Sequence, residues 1–139
     1  MFIVKNHLID CDAYPFVPDN LGLFEHRRSG QLGWDKKVQG RTFLLPGGKT
    51  GLNLLGDLVD SPVLNANPLD YLKAHQYDVP KEYDGKIVLF FGTIYRYRVG
   101  GGFCVRGLLR SDSKYIDLSI GLENPLYDEH YVIALNAAA

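Results

Sequence analysis

The chain has 139 residues and a formal net charge of -1, with 46% hydrophobic and 22% charged residues. These values are typical of a globular protein, and they exclude a largely disordered chain and a globally basic nucleic-acid-binding protein. No apolar run approaches the roughly 20 residues that span a bilayer, and no secretory signal is visible. We therefore expect one cytoplasmic domain covering 1–139, without a membrane partner. Two cysteines, Cys11 and Cys104, are too few for a disulfide scaffold and are expected to be buried thiols.

The first half of the chain predicts short strands between irregular segments, because tyrosine, phenylalanine and glycine are abundant. The predicted strands are 2–9, 21–27, 31–38 and 41–45. The second and third would form a hairpin that turns at Ser29 and Gly30. The segment 52–60 has leucines at helical spacing but also glycine, so its structure is left open.

A helix is predicted to begin at Asn67 and Pro68, since asparagine caps helices and proline suits their first turn. It should continue to about Gln76 and bury Leu69 and Leu72.

The segment 86–120 predicts a three-stranded antiparallel meander, with turns at Gly100–Gly102 and at Ser111. We expect Val105 to lie opposite Tyr97 on one side and opposite Leu118 on the other. This register places the large apolar side chains of the meander on one face, whereas a slip of one residue would bury arginine.

A final strand is predicted around Tyr131, Ile133 and Leu135. The fold class is therefore α+β and mainly antiparallel: a curled sheet or small barrel of six to eight strands, with one or two short helices.

The same register predicts a face rich in arginine and tyrosine. Arg96 lies opposite Arg106 with Arg98 nearby, and like charges in this position repel. Guanidinium groups bind phosphates and carboxylates, and Tyr115 and Ser119 on the same face would add hydrogen bonds. The pattern predicts an anionic small molecule or protein partner, and carboxylates of a second subunit would make it a homodimer. Alternatively, carboxylates from 50–85 or 121–139 fold over this face, or solvent covers it.

A second candidate surface lies in the irregular segment 12–40. Its Trp34, Arg27 and Arg28 have the composition of a partner contact. The alternative is a small peripheral core at one end of the sheet.

Other motifs are weaker. His7, Asp10 and Cys11 are close in sequence, but alternation along a strand keeps them from converging, and we predict no metal site and no cofactor. Lys49 ends a Gly-rich segment that lacks the first glycine of a phosphate-binding loop.

Three functions are compatible with these residues. We favour a non-catalytic binding or interaction protein that uses the arginine and tyrosine face for an anionic ligand. The alternatives are a small enzyme with a histidine and an aspartate as acid and base in a barrel mouth, and a nucleic-acid-binding module.

Overall fold

The computed structural model describes residues 7–28, 30–34, 41–44, 50–53, 63–76, 79, 85, 87–111, 114–123 and 130–134. The strands within these ranges are β1 His7–Asp10, β2 Leu21–His26, β3 Gln31–Trp34, β4 Arg41–Leu44, β5 Ile87–Tyr97, β6 Phe103–Ser111, β7 Lys114–Gly121 and β8 His130–Ala134. The helix α1 spans Ala66–Ala74, and a single helical turn lies at 51–53. The described chain is therefore mainly β, with an α+β composition.

The larger sheet has the strand order β4-β8-β5-β6-β7, and β2 pairs with residues 93–97 of β5. Strands β1 and β3 form a separate antiparallel pair. All pairs of the larger sheet are antiparallel except β5 and β8, which run parallel. The mainly antiparallel class predicted from the sequence is confirmed.

The predicted hairpin of 21–27 with 31–38 is wrong, because its two strands have other partners. Gly30 has a positive φ of 77°, and its carbonyl accepts a hydrogen bond of 2.8 Å from the Cys11 amide. The chain therefore turns at Gly30 toward β1. Burial accounts for the pairing of β2 with β5, since Leu21 of β2 packs beside Tyr95 of β5 in the core.

The predicted strands around residues 9, 41–44 and 131–133 are confirmed by β1, β4 and β8. Residues 2–6, 35–38, 45 and 135 of the predicted strands lie outside the described residues, as does most of 52–60.

The predicted helix is confirmed, but it begins earlier than expected. Its N-cap is Asn65, whose side-chain oxygen accepts from the Asn67 amide at 3.0 Å. Asn67 instead donates from its side chain to two carbonyls of the 10–13 loop. Leu69 and Leu72 are buried, as the spacing predicts.

The meander of 86–120 is confirmed as β5, β6 and β7, but the register of its first turn is wrong. Phe90 lies opposite Arg106, and Tyr95 lies opposite Cys104. The five-residue step from Phe90 to Tyr95 thus lies opposite a step of two residues along β6. This bulge reverses which side chains of β5 lie on each face of the sheet beyond it. Tyr97 and Val105 are therefore not neighbours.

The bulge has a local cause at Gly92. A side chain there would put Cβ 2.7 Å from the backbone N and Cα of Asn65, so the chain that enters α1 packs directly on this backbone. The Gly92 amide also donates to the Leu64 carbonyl at 2.9 Å. Gly92 therefore leaves the ladder with β6 in order to bind the segment that precedes the helix.

The second turn differs by two residues from the prediction, since Ser111 pairs with Lys114 and Val105 pairs with Ile120. A shift of two keeps the faces unchanged, because the side-chain period of a strand is two. Arg106 consequently shares a face with Tyr115 and Asp117, as expected, but it lies opposite Ser119 and not opposite Asp117 as the predicted register had it.

The sheet thus has two buried faces. The helix face contains Phe90, Tyr95, Cys104, Arg106 and Leu108, which lie on the side of α1. The opposite face contains Leu89, Phe91, Ile94 and Val105, which pack with Val63 and Leu122.

Candidate functional site

Arg106 is the largest fully buried side chain of the described chain, with 1% of its surface exposed. Its guanidinium forms two parallel bonds with Asp70 of α1, Nη1 to Oδ2 at 2.9 Å and Nη2 to Oδ1 at 2.8 Å. Nη2 also donates to Asp117 Oδ2 at 2.8 Å. Bidentate contacts of this kind are the strongest that arginine makes.

Lys73 completes the network by donating to the other oxygen of Asp117 at 2.9 Å. Two cations and two carboxylates therefore balance one another. Burial alone would lower the pKa of Arg106, but its bonds to Asp70 and Asp117 outweigh that effect and raise it. Burial would raise the pKa of Asp117, and the bonds from Lys73 and Arg106 reverse this and hold it below its usual range.

Aromatic rings line the same guanidinium. Its carbon lies 5.2 Å from the ring centre of Phe16 and 5.9 Å from that of Tyr95. The Tyr95 hydroxyl donates to the Phe16 carbonyl at 2.9 Å, which ties the 12–20 loop to the sheet. The Nε of Arg106 is buried and forms no hydrogen bond with a described residue, although the Tyr95 hydroxyl lies close enough to the guanidinium to raise the pKa of Arg106 further.

A pocket of about 190 Å³ adjoins this guanidinium, and we call it the arginine pocket. Its lining residues are Pro18, Asn20, Leu21, Arg106, Asp117, Leu118 and Ser119. The Ser119 hydroxyl lies 3.1 Å from the hydroxyl of Tyr97. The pocket thus brings together two of the predicted ligand-binding residues, Arg106 and Ser119.

Arg96 and Arg98 lie elsewhere, and the predicted shared face of three arginines is wrong. Because the bulge inverts β5, Arg96 lies on the face of Phe103, and its guanidinium sits 5.0 Å from that ring. The Nε of Arg96 donates to the Gly101 carbonyl at 2.9 Å, and that of Arg98 to the Leu21 carbonyl at 3.0 Å. Both residues are exposed near the β5–β6 turn.

Tyr115 shares the helix face with Arg106 but does not line the arginine pocket. It packs against the apolar cluster of Leu69, Leu72 and Leu108 under α1.

The predicted partner contact is also divided. Arg28 is exposed and lines a second pocket of about 230 Å³ together with Asp12, Tyr14, Pro15, Leu23 and His26. Arg27 is half-buried, and its carbonyl accepts from Asn65 Nδ2 at 2.8 Å. Trp34 lies at the end of β3, opposite His7.

His26 has both ring nitrogens occupied. Nε2 lies 3.1 Å from the Cys11 carbonyl, which can only accept, so Nε2 carries the hydrogen. Asn65 Nδ2 uses its two hydrogens on backbone carbonyls, both at 2.8 Å. The Thr93 hydroxyl accepts from the Ala66 amide and donates to His26 Nδ1, each at 2.8 Å. This ring therefore helps to position the start of α1.

Sequence reasoning missed Asp70, Lys73 and Asn20 as site residues. The alternative in which carboxylates of 50–85 fold over the arginines holds for Arg106 through Asp70. The sequence does contain one indication of a charged group on the helix, because Asp70 and Lys73 are oppositely charged and three residues apart on a predicted helix.

Two further observations bear on site chemistry. Cys11 and Cys104 are buried thiols and are not joined to each other by a disulfide, as predicted. Burial raises the pKa of Cys104 to about 11, and a weaker hydrogen bond with Tyr97 opposes it. Within the described ranges, no three histidine, cysteine, aspartate or glutamate side chains form a group that could hold a metal ion. No helix in that part of the chain is long and apolar enough to cross a membrane.

Comparison of the chain with protein-family models, with curated proteins and with solved structures found no match.

Proposed function

We propose that this protein is a non-catalytic binding protein whose ligand is a small, neutral, polar molecule held in the arginine pocket. The observation that carries the proposal is the buried Nε of Arg106, which has no partner among the described residues although its side chain lines a pocket. A buried donor without an acceptor costs about 1–3 kcal/mol. A ligand oxygen that reached this atom would recover that free energy, and because the atom has almost no exposed surface the lining side chains would have to shift to admit it.

The lining supports a ligand that both donates and accepts hydrogen bonds. Asp117 offers acceptor oxygens, while Asn20 and Ser119 can act in either direction. Pro18 and Leu21 supply apolar contact. A polyol, a sugar or a small amide has this mixture of groups, and a few polar groups on an apolar lining are typical of small-molecule sites.

Charge balance favours a neutral ligand over the anion expected from the sequence. Arg106 is already bound by Asp70 and Asp117, and Lys73 offsets the second carboxylate. An anion in the pocket would lie beside Asp117, and among the described lining residues the only cation is Arg106, which is already paired. The expectation of an anionic ligand depended on arginines without partners, and Arg106 does not meet that condition.

The side chains near the pocket support binding rather than catalysis. The lowered pKa of Asp117 makes its carboxylate a poor base, and the raised pKa of Cys104 keeps that thiol protonated. For the enzyme alternative, a histidine and an aspartate, His26 and Asp12, both line the second pocket. The contacts of the His26 ring with Thr93 and with the Cys11 carbonyl favour a structural role at the start of α1.

A protein contact at Arg28 is a second candidate. Tyr14, which lines the same pocket, is 78% exposed, and a tyrosine beside an arginine is typical of the residues that dominate protein interfaces.

The sheet that carries these sites is proposed to be curled rather than closed into a barrel. The bulge in β5 supports curvature, and the positions of β4 and β7 at opposite ends of the strand order support an open form.

The test is an NMR titration that observes the Nε–H group of Arg106 directly. Acetamide, glycerol and acetate serve as probes, because acetamide and acetate have nearly the same shape and differ in charge. We expect acetamide and glycerol to shift the Arg106 resonance in a saturable way and acetate to bind more weakly.

Asn20→Ala removes a lining side chain and should weaken acetamide binding by roughly threefold to tenfold, the value of one hydrogen bond. Asn53→Ala makes the same change at an exposed site away from the pocket and should have no effect. If acetate binds best, the ligand is anionic and the proposed class is wrong. If no probe moves the Arg106 resonance, the pocket is not a site for such molecules.

A further inference from the structure

Strand β7 has an edge that no described strand covers. It is the last strand in the order β4-β8-β5-β6-β7, and its other edge pairs with β6 over eight residue pairs without a bulge. An edge of this kind exposes a row of backbone donors and acceptors, although the Tyr115 carbonyl of this strand already accepts from Gln76 Nε2 at 3.5 Å. Natural edges are usually protected by proline, a bulge or an inward-pointing charge, and β7 has no proline or bulge. Its inward charge, Asp117, is bound to Arg106 and Lys73.

The opposite face of β7 also carries an apolar row. Ile116, Leu118 and Ile120 are all at least partly exposed, and Ile116 reaches 43%. An uncovered edge beside an exposed apolar row is the pattern of a strand that pairs with another strand.

We propose that β7 pairs antiparallel with β7 of a second copy of this chain, in the register that places Leu118 opposite Leu118. Such a dimer has a twofold axis through Leu118 and joins the two sheets into one. The proposal does not depend on a ligand in the arginine pocket, although Leu118 also lines that pocket.

The charges on β7 and the sheet faces of its side chains select this register among the alternatives. Facing residues must lie on the same side of the sheet, so only registers that shift by two residues are allowed. Centring on Asp117 would place two carboxylates opposite each other, which is unfavourable. Centring on Ser119 would shorten the overlap to 117–121. Centring on Leu118 pairs Ile116 with Ile120 and Asp117 with Ser119, and keeps seven residues in contact.

The ends of the strand are complementary in the same arrangement. Lys114 begins β7, and Glu123 lies two residues beyond its end; both are exposed. Antiparallel pairing about Leu118 places Lys114 of each copy opposite Leu122 of the other, one residue before Glu123. A lysine and a glutamate of different copies therefore lie near each other at both ends of the apolar row, and this favours a second copy as the partner.

The test is sedimentation velocity of the full chain across the micromolar range and up to millimolar concentration. We expect the wild type to show a boundary that moves from monomer to dimer as the concentration rises. Leu118→Lys and Leu118→Glu each place like charges on the twofold axis, so each variant alone should stay monomeric. An equimolar mixture of the two variants should dimerise again, because lysine then faces glutamate.

Recovery in the mixture separates a broken interface from a misfolded variant. Leu52→Lys makes the same substitution at a leucine that is 44% exposed outside β7, and it should dimerise like the wild type. A wild type that is monomeric at every concentration overturns the proposal. Dimers of either Leu118 variant alone, or a mixture that stays monomeric, overturn it as well.

Discussion

The ion pair of Arg106 with Asp70 should be the most sensitive polar contact in the described core. Asp70→Asn keeps the size of the side chain but removes its charge, and it leaves a guanidinium that is 1% exposed with one carboxylate in place of two. Breaking a buried pair by changing one partner costs roughly 3–5 kcal/mol. Asp70 is 31% exposed and Asp117 stays within 2.8 Å, so we expect a smaller loss, about 2 kcal/mol.

Urea unfolding followed by circular dichroism measures this loss, and thermal unfolding should show a decrease of about 8 °C for a chain of this length. Lys73→Ala is the matched control in the same network. Lys73 is 44% exposed, and a surface pair contributes at most about 1 kcal/mol. If Asp70→Asn costs no more than Lys73→Ala, the argument that burial makes the Arg106 contact strong is refuted.

Three further predictions concern pH, a helix start and a close packing contact. The pKa of Asp117 is lower in the folded chain than its usual value near 3.8, so its contribution to stability is present above that pH and is lost as the pH falls through the folded pKa. Asp117→Asn should therefore flatten the fall in the free energy of unfolding in acid, measured by urea unfolding at several pH values. Thr93→Val removes the acceptor of the Ala66 amide and should cost about 1–3 kcal/mol in thermal unfolding. Gly92→Ala should also cost about 1–3 kcal/mol, because the new Cβ would lie 2.7 Å from the backbone of Asn65.

Each of these changes has a matched control. Asp19→Asn alters an exposed aspartate and should leave the pH profile unchanged. Thr93→Ser keeps the hydroxyl and should retain most of the stability. Gly22→Ala meets its nearest atom only at 4.0 Å and should stay within about 0.5 kcal/mol of the wild type. A control that is destabilised as much as its partner would contradict the corresponding argument.

Local patterns in the sequence were sufficient to predict most individual elements. The alternation of apolar and polar residues in 103–120 and the spacing of the leucines in 69–72 depend only on neighbours along the chain. These two patterns were sufficient to predict β6, β7 and α1. The predicted hairpin of 21–27 failed because strand pairing is a choice among distant partners. Leu21 is buried beside Tyr95 in the core, and Gly30, the turn residue of the predicted hairpin, binds Cys11 instead.

The candidate site could be predicted only in part, for the same reason. Arg106 and Ser119 were predicted correctly to share a face, since they lie on adjacent strands of regular alternation, although the predicted register placed Arg106 opposite Asp117. Arg96 was placed wrongly, because the contact of Gly92 with the chain before α1 creates a bulge that no local pattern encodes. Asp70 binds Arg106 from 36 residues away, so only the packing of the helix on the sheet decides that this arginine is buried and neutralised while Arg96 stays exposed.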